Sequence, residues 1–195
     1  MRIQSDKLPA ALTGAILAGG KGRRMGNVNK GLVLHHGRHL FEYAVNNMRH
    51  HVKDLVIVTN SESERYQALG YEAIGDGEYR GMGPLAGFLA ALSYSPTSYV
   101  AFAACDQGML PDDVYPRLFE TAKKSVSGAA ILSDGKNIFP TCAVLSVELK
   151  DSLRSSLSLG QCKLMLWCDE IAAAHLIYTG LDFINYNSPD DLVLY

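Results

Sequence analysis

Residues 17–32 read LAGGKGRRMGNVNKGL, with five glycines and four basic side chains. The stretch continues directly from GAILA (14–18), an apolar run of the kind carried by a strand buried on both faces. A basic, glycine-rich loop at the tip of such a strand has two readings. The plain one is a surface turn with solvated charges. The pointed one is a cradle for a polyanion, with a nucleoside triphosphate as the expected occupant. Gly19, Gly20 and Gly22 let backbone N–H groups turn toward one point and let the chain approach phosphate closely. Arg24 can fork onto phosphate oxygens, and Lys30 supplies a compact point charge.

Outward from this loop, short apolar runs alternate with helical periods. Strands are expected at 55–59 (LVIVT), 71–74, 98–104 (SYVAFAA), 129–132 and 141–145. Helices are expected at 39–51, 62–69, 85–94 with Pro84 at the first position, from a cap at Asp112 or Asp113 to 124, 147–157 and 164–171. This alternation predicts an α/β fold, a three-layer α/β/α Rossmann-like mainly parallel sheet with helices on both faces. There is no repeat, low-complexity tract or linker, so residues 1–195 are read as one domain. In such sheets ligands sit at the carboxyl ends of the strands. The loop after Ala18, Asp76 and Asp106 all fall there.

Composition sets the outer limits. A 195-residue chain with 48% hydrophobic and 19% charged residues is a folded protein with a proper core. A net charge of −2 argues against a general nucleic-acid or membrane-surface binder, so any anion affinity must be local. Cys105, Cys142, Cys162 and Cys168 form no CxxC pair, and they read as reduced thiols. The opening segment MRIQSDKLPAALTGAILAGGKG lacks the apolar core and cleavage pattern of a signal peptide, and no run is long enough to span a membrane. A cytoplasmic location is the expectation.

The common phosphate motifs do not match. Gly20-Lys21 is followed by Gly22 rather than Ser or Thr, which removes the Walker loop, and a dinucleotide fingerprint would need glycine where Met25 stands. Asp106 ends an apolar strand, so its carboxylate can hold a hard divalent cation at the sheet rim while phosphates and water complete the shell. Its plain alternative is a turn or cap aspartate, as it is for Asp76 in GDG. Gly83 and Gly87 in GPLAG either admit a flat base or ribose or allow tight helix–strand packing. Asn185 and Asn187 stand before a Ser188-Pro189 helix start. His35, His36, His50 and His51 lack partners at ligand spacing and read as solvated surface residues.

The pattern L-A-G-G-x-G-x-R-M-G followed by N-K-G-L resembles the signature of nucleotidyltransferases with the nucleotide-diphosphosugar-transferase-like fold. Within them it is most similar to the molybdenum cofactor guanylyltransferase family. The likeness continues in order through GPLAG (83–87), Cys105-Asp106 with Pro111 beyond, Pro140-Thr141 and N-x-N-S-P (185–189). It implies transfer of GMP from GTP to the terminal phosphate of molybdopterin carrying molybdenum, with release of pyrophosphate and with Mg²⁺ as cofactor. It also implies that Leu17, Ala18, Gly19, Gly20, Gly22, Lys30, Asp76, Gly83, Gly87 and Asp106 bind GTP. Lys30, Arg24 and Asp106 would be catalytic, with Asp106 and Asn187 at the metal. Proteins that deliver the cofactor and mature molybdoenzymes would be transient partners.

The sequence departs from that family at several places. Asn29 stands for the usual aspartate before the lysine, Gly108 for a proline, Phe139 for a histidine and Lys163 for an arginine. Val58 occupies the place of a nucleotide-contacting asparagine, with Asn60 as the nearby substitute. Gly108 is expected to loosen its loop, and Asn29 to alter the lysine's orientation. The competing functions are a sister transferase using CTP or another phosphorylated acceptor, and a nucleotide-binding regulatory protein without catalysis.

Overall fold

The computed structural model describes residues 12–19 and 29–180. Seven strands form one sheet, β1 (Leu12–Leu17), β4 (Asp54–Val58), β5 (Glu72–Ile74), β6 (Tyr99–Ala104), β7 (Ala129–Ser133), β8 (Ile138–Ser146) and β9 (Ala174–Ile177), in the order β5-β4-β1-β6-β8-β7-β9. The first four in that order are parallel neighbours. β8 runs antiparallel to both β6 and β7, and β7 pairs parallel with β9. The sheet is therefore mixed and mostly parallel. β2 (Leu34–His35) and β3 (Arg38–His39) form a separate small hairpin.

Helices cover both faces. α1 (Leu40–Met48), α2 (Ser63–Ala68) and α4 (Val114–Lys124) lie on one side, contributing Phe41, Met48, Tyr66, Val114 and Leu118 to its core. α3 (Pro84–Tyr94), α5 (Lys150–Ser158) and α6 (Leu164–Glu170) cover the other with Leu85, Phe88, Leu92, Leu153 and Trp167. The two cores follow from strand alternation: Leu12 and Ile16 of β1 point into the first, Ala15 into the second. α1 lies so close to β1 that a Cβ at Gly14 would stand 2.8 Å from the Met48 sulfur. α4 is amphipathic, burying Val114, Tyr115, Leu118, Phe119 and Ala122 while Lys123 and Lys124 occupy its C-terminal turn. On the second face, Trp167 is fully buried and its Nε1–H donates to Ser152 Oγ at 3.1 Å, joining α6 to α5.

Besides β9 and the β2–β3 hairpin, where no strands were expected, three features differ from expectation. The segment expected as a strand at 141–145 is longer, and it runs antiparallel to both of its neighbours, the one reversed strand of this sheet among the described residues. Its pairing with β7 shifts from Ile131↔Ala143 to Leu132↔Phe139, so residues 140–142 bulge, and Pro140, with no N–H to give the ladder, falls in the bulge. The helix expected at 147–157 opens as a 3₁₀ turn, Val147–Leu149, whose cap Ser146 accepts from the Glu148 N–H. His35 is not solvated. It is 4% exposed, with its ring centroid 4.2 Å from that of His36 and 5.9 Å from that of Tyr43.

Candidate active site

The register of the parallel strands assembles the site. Leu17 pairs with Val58 on one side and Ala104 on the other, and Val58 pairs with Ile74. One row therefore crosses four strands, and the loops leaving those strands open onto a common rim. The ladder runs one step further: Ala18 N–H donates to Val58 O at 2.8 Å, Thr59 N–H to Ile74 O at 2.8 Å, and Cys105 N–H to Leu17 O at 3.0 Å. Just past it come Gly19, Asn60, Asp76 and Asp106.

Lys30 and Asp106 meet at this rim. Lys30 Nζ lies 2.5 Å from Asp106 Oδ2, with both side chains less than one-fifth exposed (16% and 18%). Lys30 opens a single 3₁₀ turn, Lys30–Leu32, that rests on the first core. A Cβ at Gly31 would lie 2.5 Å from the Tyr66 hydroxyl and 3.3 Å from Cys105 Cβ, so only glycine lets the lysine turn sit this low. Asn29 is buried behind it. Tyr66 donates its hydroxyl proton to Asn29 Oδ1 at 2.9 Å, and Asn29 Nδ2 reaches the Ser61 carbonyl at 3.4 Å. The residue before the lysine is thus an anchor between the lysine turn, α2 and the loop after β4.

The second corner is built on Asp76. Asn60 Nδ2 donates to Asp76 Oδ2 at 2.5 Å and the Asp76 N–H donates to Asn60 Oδ1 at 3.0 Å, while Arg80 donates to the Asn60 carbonyl at 2.7 Å. Burial raises the Asp76 carboxyl above its ordinary range, opposed by the Asn60 hydrogen bond and the Arg80 charge. A cleft of ≈ 370 Å³ opens beside this corner, lined by Thr59, Asn60, Ser63, Gln67, Gly75 and Arg80. Its lining combines hydroxyls, side-chain amides and the Arg80 guanidinium.

The glycines of α3 behave differently from one another. Gly83 has φ +78, a conformation glycine adopts without strain, and stands as the cap ahead of Pro84. Gly87 is buried, and a Cβ there would lie 3.0 Å from Leu17 Cδ2, 3.4 Å from Val58 Cγ1 and 3.6 Å from Asp76 Oδ1. Tight helix–strand packing accounts for Gly87, directly beneath the Asp76 corner.

Of the residues singled out in the sequence, the structure brings Lys30 to Asp106 and places Leu17, Ala18, Gly19, Asp76, Gly83 and Gly87 along the same end of the sheet. Gly20, Gly22, Arg24, Asn185 and Asn187 lie outside the described residues. Val58 is a core residue, 2% exposed and packed toward α3, whereas Asn60 two residues on reaches the rim. Gly108 does not stand unsupported: Asn47 of α1 donates its amide to the Gly108 carbonyl at 2.7 Å and accepts from the Leu110 N–H at 3.1 Å. In the sequence Asn47 shares a helical face with Leu40, Tyr43, Ala44 and Met48, a polar residue among apolar ones, but nothing there shows which backbone groups it meets. Cys105 is buried, and that burial, with the neighbouring Asp106 charge, pushes its thiol up to about 12, which favours the neutral form.

A sequence model of the MobA-like NTP transferase domain matches residues 14–170. A molybdenum cofactor guanylyltransferase of Yersinia pestis (strain Pestoides F) is 39% identical over 186 residues, covering 94% of each chain. Among solved structures, molybdopterin-guanine dinucleotide biosynthesis protein A from Archaeoglobus fulgidus superposes with a TM-score of 0.73 at 25% identity, covering 93% of this chain and 95% of its own. The inositol-1-phosphate CTP transferase of T. maritima shares the fold, with a TM-score of 0.68 at 15% identity over 94% of this chain and 92% of its own.

Proposed function

We propose, from the premise that this chain belongs to the MobA-like NTP transferase family and is a nucleotidyltransferase, that it transfers GMP from GTP to the terminal phosphate of molybdenum-carrying molybdopterin. An oxygen of the acceptor phosphate attacks the α-phosphorus of GTP. The bond from that phosphorus to the α–β bridging oxygen breaks, and pyrophosphate leaves with the electron pair. The attacking oxygen is already anionic at neutral pH, so no protein nucleophile or strong base is needed. Positioning and charge stabilisation carry the rate.

The observation that carries this reading is the Lys30–Asp106 pair. A cation and a carboxylate held together at a strand tip form a site for a phosphate chain and a metal at once. Lys30 is the group that neutralises charge gathering on the departing phosphates. Among the described residues no three His, Cys, Asp or Glu side chains cluster at metal-binding distance. A single partly buried carboxylate fits Mg²⁺, which keeps several waters and takes its remaining ligands from substrate phosphates. Asp106 would hold the ion, and when bound it supplies positive charge against the phosphate oxygens. Asp76 and Asn60, beside the polar cleft, would hold the nucleoside end.

Pyrophosphate release is measured with Mg²⁺, molybdenum-loaded molybdopterin and GTP, CTP or ATP in turn. Guanine-selective turnover is expected. Cytosine-selective turnover would assign the chain to a sister transferase, and nucleotide binding without turnover would make it a regulatory protein. Omitting Mg²⁺ is expected to abolish the signal. Among the described residues no helix is long and apolar enough to cross a membrane.

A further inference from the structure

The loop that carries Asp106 is held by hydrogen bonds from two helices. Gln107 is fully buried, and its Nε2 donates to the Tyr115 hydroxyl of α4 at 3.0 Å. On the other side, the Asn47 amide spans Gly108 and Leu110, donating to the carbonyl of one and accepting from the N–H of the other. Asn47 is only 9% exposed, so both of its bonds are shielded from water. Glycine is the residue whose backbone is most expensive to order, and here the ordering contacts come from a side chain more than 60 positions earlier in the sequence.

The helix bearing Asn47 also holds Lys30. At its start, His39 Nδ1 is 2.9 Å from Leu32 O, and the Leu40 N–H donates to Val33 O at 3.0 Å. Phe41 packs against the lysine turn, its Cβ 3.5 Å from where a Gly31 Cβ would lie. From His39 to Asn47 is about 12 Å of helix. One short rod is therefore bonded to the Lys30 turn at its beginning and to the Asp106 loop at its end.

We infer that Asn47 is a positioning residue that sets the Asp106 carboxylate relative to Lys30 and so tunes the affinity of the site for a divalent cation. This rests on the reading of Asp106 as the metal-side carboxylate. Both ends of the Asn47 amide are bonded to the loop backbone. Its effect passes through the loop backbone, as an outer hydrogen bond orients a metal ligand.

The test uses Asn47→Ala, Asn47→Leu and a control, Ser125→Ala. The leucine variant refills the packed volume while removing both hydrogen bonds. Ser125 ties α4 to β7 through the Ala129 N–H at the opposite end of the strands, so its loss lowers stability without touching the rim. Mn²⁺ binding in the presence of GTP is followed by electron paramagnetic resonance, beside the melting temperature and the Mg²⁺ dependence of turnover. Both Asn47 variants are expected to bind Mn²⁺ about tenfold more weakly and to need correspondingly more Mg²⁺ for half-maximal turnover. Turnover at saturating Mg²⁺ is expected to recover. Ser125→Ala is expected to melt earlier with its metal constants unchanged.

Unchanged metal constants in the folded leucine variant would overturn the inference while leaving the proposed reaction intact, and the same result in the alanine variant would add to it. Weakening in the alanine variant alone would assign the effect to packing and also overturn it. A wild-type protein that binds no Mn²⁺ with GTP would bring down the metal-side reading of Asp106, and this inference with it.

Discussion

Two carboxylates stand at the same rim in unlike company. Asp106 faces a cation, Lys30, held low by Gly31. Asp76 faces a neutral amide, Asn60, and burial raises its carboxyl above the ordinary range. The first corner concentrates opposite charges and suits a metal and a phosphate chain. The second holds a carboxylate in a web of directional hydrogen bonds beside a polar cleft, which suits recognition of a nucleoside. On the proposed function, this rim of the sheet would divide into a charge-handling end and a nucleoside-reading end, separated by β1 and β4.

The largest effect should come from removing the charged corner. Asp106→Ala and Lys30→Ala are each expected to lower kcat by about 10²–10³, the scale of losing one preorganised charge-stabilising group, with the melting temperature little changed. Near-normal turnover in either variant would dissolve the distinction between the corners.

Gly31→Ala tests whether the lysine turn must sit low. Its methyl meets the Tyr66 hydroxyl, and overpacking of this kind costs about 1–3 kcal/mol. The double variant Gly31→Ala/Tyr66→Phe is expected to lose less stability than the sum of its parts, measured by chemical denaturation, because the clash and the Asn29 bond share one oxygen.

At the second corner, Asn60→Ala is expected to raise KM for GTP about five- to tenfold, the worth of roughly 1 kcal/mol of hydrogen bonding, with kcat preserved. A fall in kcat with unchanged KM would place Asn60 in the chemistry instead.

The smallest effect concerns stability and pH. Because the Asp76 carboxyl is raised in the folded chain, the folded state binds that proton more tightly than the unfolded state. Its contribution to stability is therefore full below the ordinary value of 3.8 and is lost as pH rises through the raised one. Asp76→Asn removes that loss, so without nucleotide it should melt slightly higher than wild type at pH 7. The gain should vanish near pH 4. An unchanged difference across that range would show that Asp76 is solvated like any surface carboxylate.

Much of the architecture was legible along the chain. β1, β4 and β6 announce themselves as continuous apolar runs because both their faces are covered, and α3 announces its start at Pro84. β9 did not, since Leu176 is its only buried side chain and AHLI carries no run and no alternation. The β2–β3 hairpin was also missed. Its turn places His36 and Gly37 at positive φ, where Asn-Gly or Asp-Gly would have signalled it.

Of the candidate site, Asp76 and Asp106 could be picked out as acids at strand ends, and Lys30 as a cation of the glycine-rich loop. Asn60 was visible only as a neighbour of Val58. The anchoring of Asn29 by Tyr66 and of Gly108 by Asn47 was not visible at all, because each contact joins residues distant in sequence.

By itself the sequence determined which segments are buried strands, which loop is glycine-rich and basic, and which acids come just after a strand. These are consequences of side-chain volume, period and backbone freedom, all local quantities. Only the tertiary structure decided that β8 runs backwards, that Lys30 meets Asp106 while Asp76 meets Asn60, and that one helix braces both halves of the charged pair. Such pairings depend on register and on hydrogen bonds closed across dozens of residues, and no local pattern encodes where a donor finds its acceptor.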